Sequence, residues 1–148
     1  MSGNKFSMDI IIKASLEHVF SVICDIENTP KWYKQVVSNK ILTEGEFGLG
    51  TRWEETRKIL FITATEQAEC TEFVENSHYT VTIDASSHKA IATISVEPQN
   101  EHTKVVYSGE CFKKVEGEWK PSERVAKLVG KFDSKMLEYL KKHIESNQ

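Results

Sequence analysis

The sequence predicts an α+β fold, in which a curved antiparallel sheet of about seven strands wraps around a long C-terminal helix. In the last part of the chain, apolar residues recur at gaps of three and four, which is typical of one face of a helix. In the middle of the chain, apolar and polar residues alternate between short turns, which is typical of antiparallel strands. Two short helical patterns precede most of these strands, so the predicted element order is β-α-α-β6-α.

The first elements are a strand over residues 6–13 and a helix over residues 16–26, for which Ser15 is a suitable N-cap. Pro30 can occupy the first position of a second, short helix through residues 31–34. Six further strands are predicted from the period-two alternation and from the turn residues between them. They cover residues 37–44, 51–59, 62–74, 79–85, 90–96 and 103–114.

The final helix is predicted to run from Ser122, its N-cap, to about residue 144, a length of roughly 35 Å. Its apolar stripe needs a large apolar partner, which the preceding strands can supply. Gly130 is unusual inside a helix, and it marks either the close approach of another backbone or a tolerated position on the exposed side. The stripe consists of Val125, Leu128, Val129, Phe132, Met136, Leu137, Leu140 and Ile144.

Composition limits the functions that the chain can have. Its 148 residues suit one domain, residues 1–148, and its net charge of -3 comes without a basic block, so we expect no nucleic-acid partner. The sequence shows no N-terminal apolar segment and no apolar run of membrane length, so we expect no membrane insertion and a cytoplasmic location. The three cysteines, Cys24, Cys70 and Cys111, are isolated, and we interpret them as buried apolar side chains rather than disulfides.

Motifs for the common catalytic and metal-binding chemistries are missing from the sequence. The five histidines form no HExxH motif and no cluster with cysteine, so we expect no metal site. There is no GxSxG, P-loop or GxGxxG motif, and we expect no cofactor. Glu54 and Glu55 are not an acid/base pair, because adjacent residues of a strand point to opposite faces of the sheet.

Four short segments carry a resemblance to a known family: residues 14–20 (ASLEHVF), 25–32 (DIENTPKW), 48–51 (GLGT) and 103–105 (TKV). Together with the element order, they resemble the START-like, helix-grip superfamily, also called SRPBCC, and within it the polyketide cyclase/dehydrase-like branch. The resemblance covers nearly the whole chain and implies a helix-grip fold. Members of the superfamily bind lipids, sterols, polyketides, hormones or quinones, and only some are enzymes. The matching segments are structural, so the resemblance assigns no catalytic residue.

A curled sheet of this size leaves space that one helix cannot fill, so we expect a cavity between the sheet, the final helix and the first helix pair. Tyr79 lies on the apolar face of its strand. Tyr107 is assigned to the inner face of its own strand, because its set of alternate residues carries the larger ring. Phe132 and Met136 lie in the middle of the helical stripe. We expect these four residues to form apolar wall.

Trp53, Glu55 and Arg57 share one face of the strand at 51–59. The opposite face carries Arg52, Glu54, Thr56 and Lys58 and is entirely polar. The first set should therefore point into the cavity, with Trp53 as wall. A carboxylate and a guanidinium two residues apart can pair, and buried charges usually must pair. The hypothesis is that Glu55 and Arg57 form the polar anchor of an otherwise apolar pocket; the alternative is a half-exposed salt bridge at the sheet rim.

Two aromatic residues follow the second helix near the expected mouth of the cavity. Trp32 and Tyr33 are candidates for a lid. The alternative for Trp32 is core packing, because a large ring after a turn often pins two elements together.

These patterns predict a binding module that holds one small, mainly hydrophobic ligand, such as a lipid or a polyketide. The first alternative is a polyketide cyclase or dehydratase, in which the pocket orients a flexible chain and Arg57 stabilises an enolate. Glu55 or Tyr107 would then act as acid or base. The second alternative is a protein-interaction or stress-response module that uses the outer face of the sheet. The ligand's identity and the oligomeric state do not follow from the sequence.

Overall fold

The computed structural model describes residues 3–59 and 61–147, without the side chain of Ile59. Its strands are β1 (Lys5–Ile12), β2 (Val36–Ile41), β3 (Arg52–Ile59), β4 (Ile62–Val74), β5 (His78–Asp84), β6 (His88–Gln99), β7 (His102–Val115) and β8 (Glu118–Pro121). Its helices are α1 (Leu16–Cys24), a 3-10 helix (Ile26–Lys31), α2 (Glu123–Phe132) and α3 (Met136–Ser146).

Within the described residues, the eight strands form one curved, open antiparallel sheet with the order β1-β7-β6-β5-β4-β3-β2. The short β8 pairs with the end of β7 and so continues the edge that β1 forms. This arrangement confirms the predicted α+β, helix-grip fold with a curved antiparallel sheet and a long C-terminal helix, here made of α2 and α3. No helix in residues 3–59 and 61–147 has both the length and the apolarity needed to cross a membrane.

The hydrophobic core lies between the concave face of the sheet and the helices. Ser15 caps α1, because its Oγ accepts a hydrogen bond from the backbone N–H of His18 at 3.2 Å. Strand alternation then sorts the sheet residues as the sequence predicted, with every second side chain facing the helices. The buried core includes Val19, Phe20 and Ile23 from α1, Leu137, Leu140 and Ile144 from α3, and Trp53, Tyr79, Val81, Ala92, Ile94, Val96 and Val105 from the sheet.

The C-terminal helix begins where the sequence predicted but is interrupted by a turn at residues 133–135. Ser122 is the N-cap, and its Oγ accepts from the backbone N–H of Val125 at 3.1 Å. The predicted stripe holds in α3 but not in α2, where Ala126 is the buried residue and Leu128 is 45% exposed. The turn rotates the buried face of α2 relative to that of α3, so a single apolar stripe drawn through both helices describes only α3. A Cβ at Gly130 would meet nothing within 4 Å, so this glycine is a tolerated position and not a close approach.

The second helical segment lies earlier than predicted. It spans Ile26–Lys31 as a 3-10 helix, and not residues 31–34, so Pro30 lies near its end and not at its start. The backbone N–H groups of Trp32 and Tyr33 both donate to the carbonyl of Thr29, at 3.1 and 2.9 Å. These bonds close the last turn after the proline. The chain then runs directly into β2.

Gly109 on β7 makes room for an aromatic ring on the neighbouring strand. It lies directly opposite Phe6 in the register of β1 and β7. A Cβ at this position would lie 2.6 Å from the carbonyl oxygen of Ile91 and 2.8 Å from the ring of Phe6. The ring of Phe6 also contacts that of Tyr107, with 5.2 Å between centroids. Only glycine leaves this space free.

Charge is distributed unevenly between the two ends of the sheet. We call the end with the β3–β4 and β5–β6 turns and the β7–β8 hairpin the hairpin end, and the opposite end the loop end. The connections at the loop end carry Glu44, Glu46, Glu75 and Glu101 against a single lysine, Lys13, between β1 and α1. Helix α2 lies at the hairpin end, because it begins beside Cys111 and ends beside Arg57. At this end and on α2, exposed basic residues outnumber acidic ones. They are Lys58, Lys113, Lys114, Lys120, Arg124, Lys127 and Lys131.

Candidate functional site

A cavity of about 90 Å³ lies between the concave face of the sheet, α1, the 3-10 helix and the start of α3. Most of its wall is apolar, and its polar groups come from the 3-10 helix, from the segment before β2, from β2, β3 and β7, and from the turn between α2 and α3. The apolar wall consists of Ile23, Ile26, Trp32, Val36, Trp53, Tyr79, Val81, Ile83, Ala92, Ile94 and Met136. The polar part, which we call the polar end, consists of Thr29, Tyr33, Asn39, Glu55, Arg57, Tyr107 and Asp133.

The structure brings together all of the residues that the sequence proposed for this site except Phe132. Trp53, Glu55, Arg57, Tyr79, Tyr107, Met136, Trp32 and Tyr33 all line the cavity. Phe132 does not, because α2 ends there and the turn gives the inward position to Asp133. Its contribution is a backbone carbonyl, which lies 3.0 Å from the hydroxyl of Tyr33. Ligand binding by the other residues stays a prediction.

Asp133 is the centre of the polar end, and the sequence analysis missed it. Its carboxylate is 3% exposed and pairs with the guanidinium of Arg57, whose Nη2 donates to Oδ1 at 2.6 Å. The hydroxyl of Tyr33 donates to the same oxygen at 2.7 Å, and that of Tyr107 donates to Oδ2 at 3.3 Å. One carboxylate therefore joins the C-terminal helices to β3, β7 and the segment before β2.

The predicted pairing of Glu55 with Arg57 is wrong, because Arg57 is taken by Asp133. In the part of the chain that the structure describes, Glu55 has no ion pair or hydrogen bond. Burial raises the pKa of Glu55 to about 7; Arg57 opposes the shift, whereas the negative charges of Glu66 and Asp133 add to it. The carboxyl of Glu55 is thus divided between its neutral and charged forms near neutral pH.

Arg57 and the two tyrosines of the polar end keep their usual charge. Burial lowers the pKa of Arg57, but the carboxylates of Asp133 and Glu55 more than offset this effect, so the net pKa is raised. Burial raises the pKa of Tyr33 and Tyr107, and the negative charge of Asp133 raises both further. Arg57 therefore stays cationic and both tyrosines stay neutral hydrogen-bond donors.

Asn39 on β2 is a second lining residue that the sequence analysis missed. It is 7% exposed, and its Nδ2 donates to the backbone carbonyl of Ile26 at 2.8 Å, which fastens the 3-10 helix to the sheet. Asn39 lies directly opposite Glu55 in the register of β2 and β3. A sequence signal existed, because Asn39 alternates with Ile41 on the face that lies opposite Lys40.

The two lid candidates have different surroundings. Trp32 is partly buried and packs against the core, which agrees with the alternative of a packing role. Tyr33 is 2% exposed, and its hydroxyl also accepts from Arg57 Nη2 at 3.1 Å. Because of these bonds, Tyr33 is part of the fixed wall. At the loop end, the ring of Phe47 lies 4.9 Å from Tyr79 and 5.7 Å from Trp53, between centroids, and closes that side.

The cysteines take no part in the polar end. Cys70 and Cys111 are buried and Cys24 is partly buried, and all three are free thiols. Burial raises the pKa of Cys24 to about 12 and that of Cys111 to about 11, so both stay protonated. Among the described residues, no group of three or more His, Cys, Asp or Glu side chains could hold a metal ion.

A comparison with protein families gives a match over nearly the whole chain. The family model described as polyketide cyclase / dehydrase and lipid transport matches residues 4–145. A comparison with curated protein sequences gives no significant match.

Solved structures share this fold over nearly their whole length. The chain is similar to a START superfamily protein from Mycobacterium smegmatis, with a TM-score of 0.81 and 18% identity over 97% of this chain and 99% of that one. It is similar to norcoclaurine synthase from Thalictrum flavum in complex with dopamine and hydroxybenzaldehyde, with a TM-score of 0.72 and 13% identity over 97% and 87% of the chains. It is also similar to major latex-like protein 151 from Panax ginseng, with a TM-score of 0.74 and 15% identity over 94% and 95%. At these identities the likeness shows the fold alone.

Proposed function

Because the chain belongs to the polyketide cyclase/dehydrase and lipid transport family, we propose that it binds one small, mainly hydrophobic molecule in the cavity between sheet and C-terminal helix. The observation that carries this proposal is the division of the cavity wall into a large apolar part and one polar end. Such a cavity suits a molecule with an apolar body and a single polar group. A cytoplasmic location remains the prediction from the sequence.

The size of the cavity limits the ligand. Pockets for drug-sized molecules usually have volumes of about 300–1,000 Å³. A cavity of about 90 Å³ therefore admits a group no larger than roughly one ring, and a longer lipid or polyketide requires its walls to move. Since Tyr33 and Arg57 are held by Asp133, this movement has to come from the apolar wall, where Met136 is the most adaptable side chain.

The polar end sets the orientation of the ligand. Its polar group would contact Glu55 and Arg57, and its apolar body would lie against Trp53, Tyr79 and Met136. Glu55 and Arg57 thus remain the proposed polar anchor, although they do not pair with each other.

Native mass spectrometry of freshly purified protein, with organic extraction of bound material, tests the proposal. Binding can also be titrated with toluene, followed by the NMR signal of the Trp53 indole N–H. We expect Ala92→Leu, which fills the cavity, to abolish binding. Ala126→Leu is the matched control, because Ala126 is equally buried but does not line the cavity. Equal binding by both folded variants would contradict the proposal.

Catalysis is a second candidate function, and Glu55 is the observation that favours it. A carboxyl with a pKa of about 7 in an apolar cavity suits a general base, which could remove a proton next to a carbonyl group. Arg57 would then stabilise the enolate. Mass spectrometry of candidate polyketides or aromatic ketones would detect conversion. We expect Glu55→Gln to abolish turnover and to retain binding; conversion that survives this change would exclude Glu55 as the base.

A further inference from the structure

Two buried polar atoms of the cavity wall have no hydrogen-bond partner within the described structure: Oδ1 of Asn39 and Nε of Arg57. Buried polar groups are nearly always paired, so each such atom calls for an explanation. Resting on the proposed function, we infer that the ligand's polar group is a neutral hydroxyl, as in an alcohol, phenol or enol, and that Asn39 and Arg57 recognise it.

The free atom of Asn39 is an acceptor. Its Nδ2 donates to the carbonyl of Ile26 at 2.8 Å. Exchanging the amide oxygen and nitrogen would place two oxygens against each other, so the hydrogen bond fixes the orientation of the amide. Oδ1 is therefore the group that needs a donor.

The free atom of Arg57 is a donor. Its Nη2 is engaged by Asp133 at 2.6 Å and by the hydroxyl of Tyr33 at 3.1 Å. These bonds hold the guanidinium in place, so the N–H at Nε cannot turn to find another partner. It needs an acceptor.

The two residues lie close together on the inner face of the sheet. Asn39 is directly opposite Glu55 on the neighbouring strand, and Arg57 follows Glu55 by two residues on the same face. Diagonal neighbours of this kind are about 7–8 Å apart at the backbone, within reach of long side chains. One hydroxyl, or a hydroxyl with an adjacent oxygen, can therefore bridge them.

Hydroxyl chemistry matches this pair, whereas ketones, ethers and carboxylates do not. A hydroxyl can donate to Asn39 and accept from Arg57 at once. A ketone or ether oxygen can only accept, which leaves Asn39 unpaired. A carboxylate has the same defect, and it also brings negative charge towards Glu55, while the charge of Arg57 is already balanced by Asp133. The cavity should therefore reject fatty-acid anions.

Four ring-sized probes test the inference on the full chain: phenol, anisole, toluene and benzoate. The Trp53 indole N–H signal reports the dissociation constant of each. We expect phenol to bind at least about tenfold more tightly than anisole and toluene, and benzoate to bind most weakly. Asn39→Ala should bring the affinity ratio of phenol to anisole close to one, because phenol then only accepts from Arg57, as an ether does. Asn28→Ala should leave this ratio unchanged, because Asn28 lies on the 3-10 helix that Asn39 contacts but its own side chain bonds to Asp25.

Each outcome has a separate meaning. Equal affinity for phenol and toluene in the unsubstituted protein, as when a water molecule satisfies both atoms, overturns the inference and leaves the proposed function standing. This comparison is decisive even if Asn39→Ala does not fold. If none of the probes binds, toluene included, the proposed function fails and this inference fails with it.

Discussion

Asp133 shows how much a single buried carboxylate can determine. It accepts a charged hydrogen bond from Arg57 and hydrogen bonds from two tyrosines, and all of these partners belong to other elements. Removing one member of a buried ion pair leaves the other charge buried without compensation. The stability of the polar end should therefore depend on this residue more than on any exposed acid.

Asp133→Asn tests that dependence. The change keeps the shape of the side chain but leaves the cation of Arg57 unpaired, so we expect the free energy of unfolding to fall by about 2–4 kcal/mol. Urea denaturation at pH 7 measures the change. Glu123→Gln is the control, because it breaks the exposed pair with Lys127 and should cost less than about 0.5 kcal/mol. Similar losses in both variants would show that the polar cluster contributes little.

Glu55 makes stability dependent on pH. Burial raises its pKa to about 7, so the folded state holds this proton more strongly than the unfolded chain does. The stabilisation from this proton is complete at pH values below the pKa that Glu55 has in the unfolded chain. It is lost as the pH rises through about 7, the pKa of Glu55 in the folded state. Glu55→Gln removes the titration. Its stability relative to the unsubstituted protein should therefore increase by about 1–3 kcal/mol between pH 5 and pH 8.

Urea denaturation at the two pH values measures this difference. Glu54→Gln is a matched control, since the adjacent side chain lies on the outer face of the same strand. Its stability at the two pH values gives the baseline for the loss of one carboxyl from β3, against which Glu55→Gln is compared. A constant difference between Glu55→Gln and the unsubstituted protein would mean that Glu55 ionises normally.

Strand alternation was sufficient to find Trp53, Arg57 and Tyr79, because the face of a strand follows from residue number alone. Asp133 was missed because the search for the stripe counted only apolar residues. Its position was informative: it lies four residues after Val129 and four before Leu137, so it falls on the buried side. The partner of Arg57 comes from a distant element, and no local pattern could have identified it.

Among the helices, α2 buries the smallest share of its residues, and its glycine offers a simple test. Gly130 lies inside α2, and a Cβ there would meet no atom within 4 Å. Alanine loses less backbone entropy than glycine when a helix forms. We expect Gly130→Ala to raise the free energy of unfolding by about 0.5–1 kcal/mol, measured by urea denaturation.

Gly109→Ala provides the contrast, because here the methyl group would collide with the carbonyl of Ile91 and the ring of Phe6. Overpacking of this kind typically costs about 1–3 kcal/mol. If both changes shifted stability in the same direction, the space around the two glycines would not be the deciding factor.

The strands were predictable as elements because their alternation is long and their turns are marked by glycine, asparagine and serine. The break between α2 and α3 was not, because apolar residues continue across it at helical spacing. The early 3-10 helix was misplaced because proline fits both the start of a helix and the end of a tight turn. The short β8 follows a two-residue turn, and its pattern is too brief to separate it from a loop.

At the scale of the whole molecule, the curved sheet and the C-terminal helix followed from element order. The volume of the cavity did not, because it depends on how side chains from eight elements pack together. The uneven charge of the two ends likewise could not be predicted from the sequence, because acidic and basic residues are mixed along the chain. It emerges when the antiparallel strands place alternate turns at opposite ends.

This distribution predicts retention on a cation exchanger in spite of the net charge of -3. At roughly 0.01 M ionic strength the Debye length is about 30 Å, so the hairpin end can bind while the loop end faces away. Retention should disappear near 0.15 M salt. Lys131→Glu, on α2, should reduce it more than Lys142→Glu on α3, although both change the net charge equally. Equal effects would mean that only the total charge matters.

The contacts of Asp133 also have a consequence for the order of folding. They join Asp133 to Tyr33, which is 100 residues away in the sequence, and to Arg57, which is 76 residues away. Contacts that close such long loops form late, after most of the sheet has assembled. Asp133→Asn should therefore accelerate unfolding in stopped-flow experiments and leave the refolding rate nearly unchanged. The residue that orders the polar end of the cavity would then also set how slowly the finished fold opens.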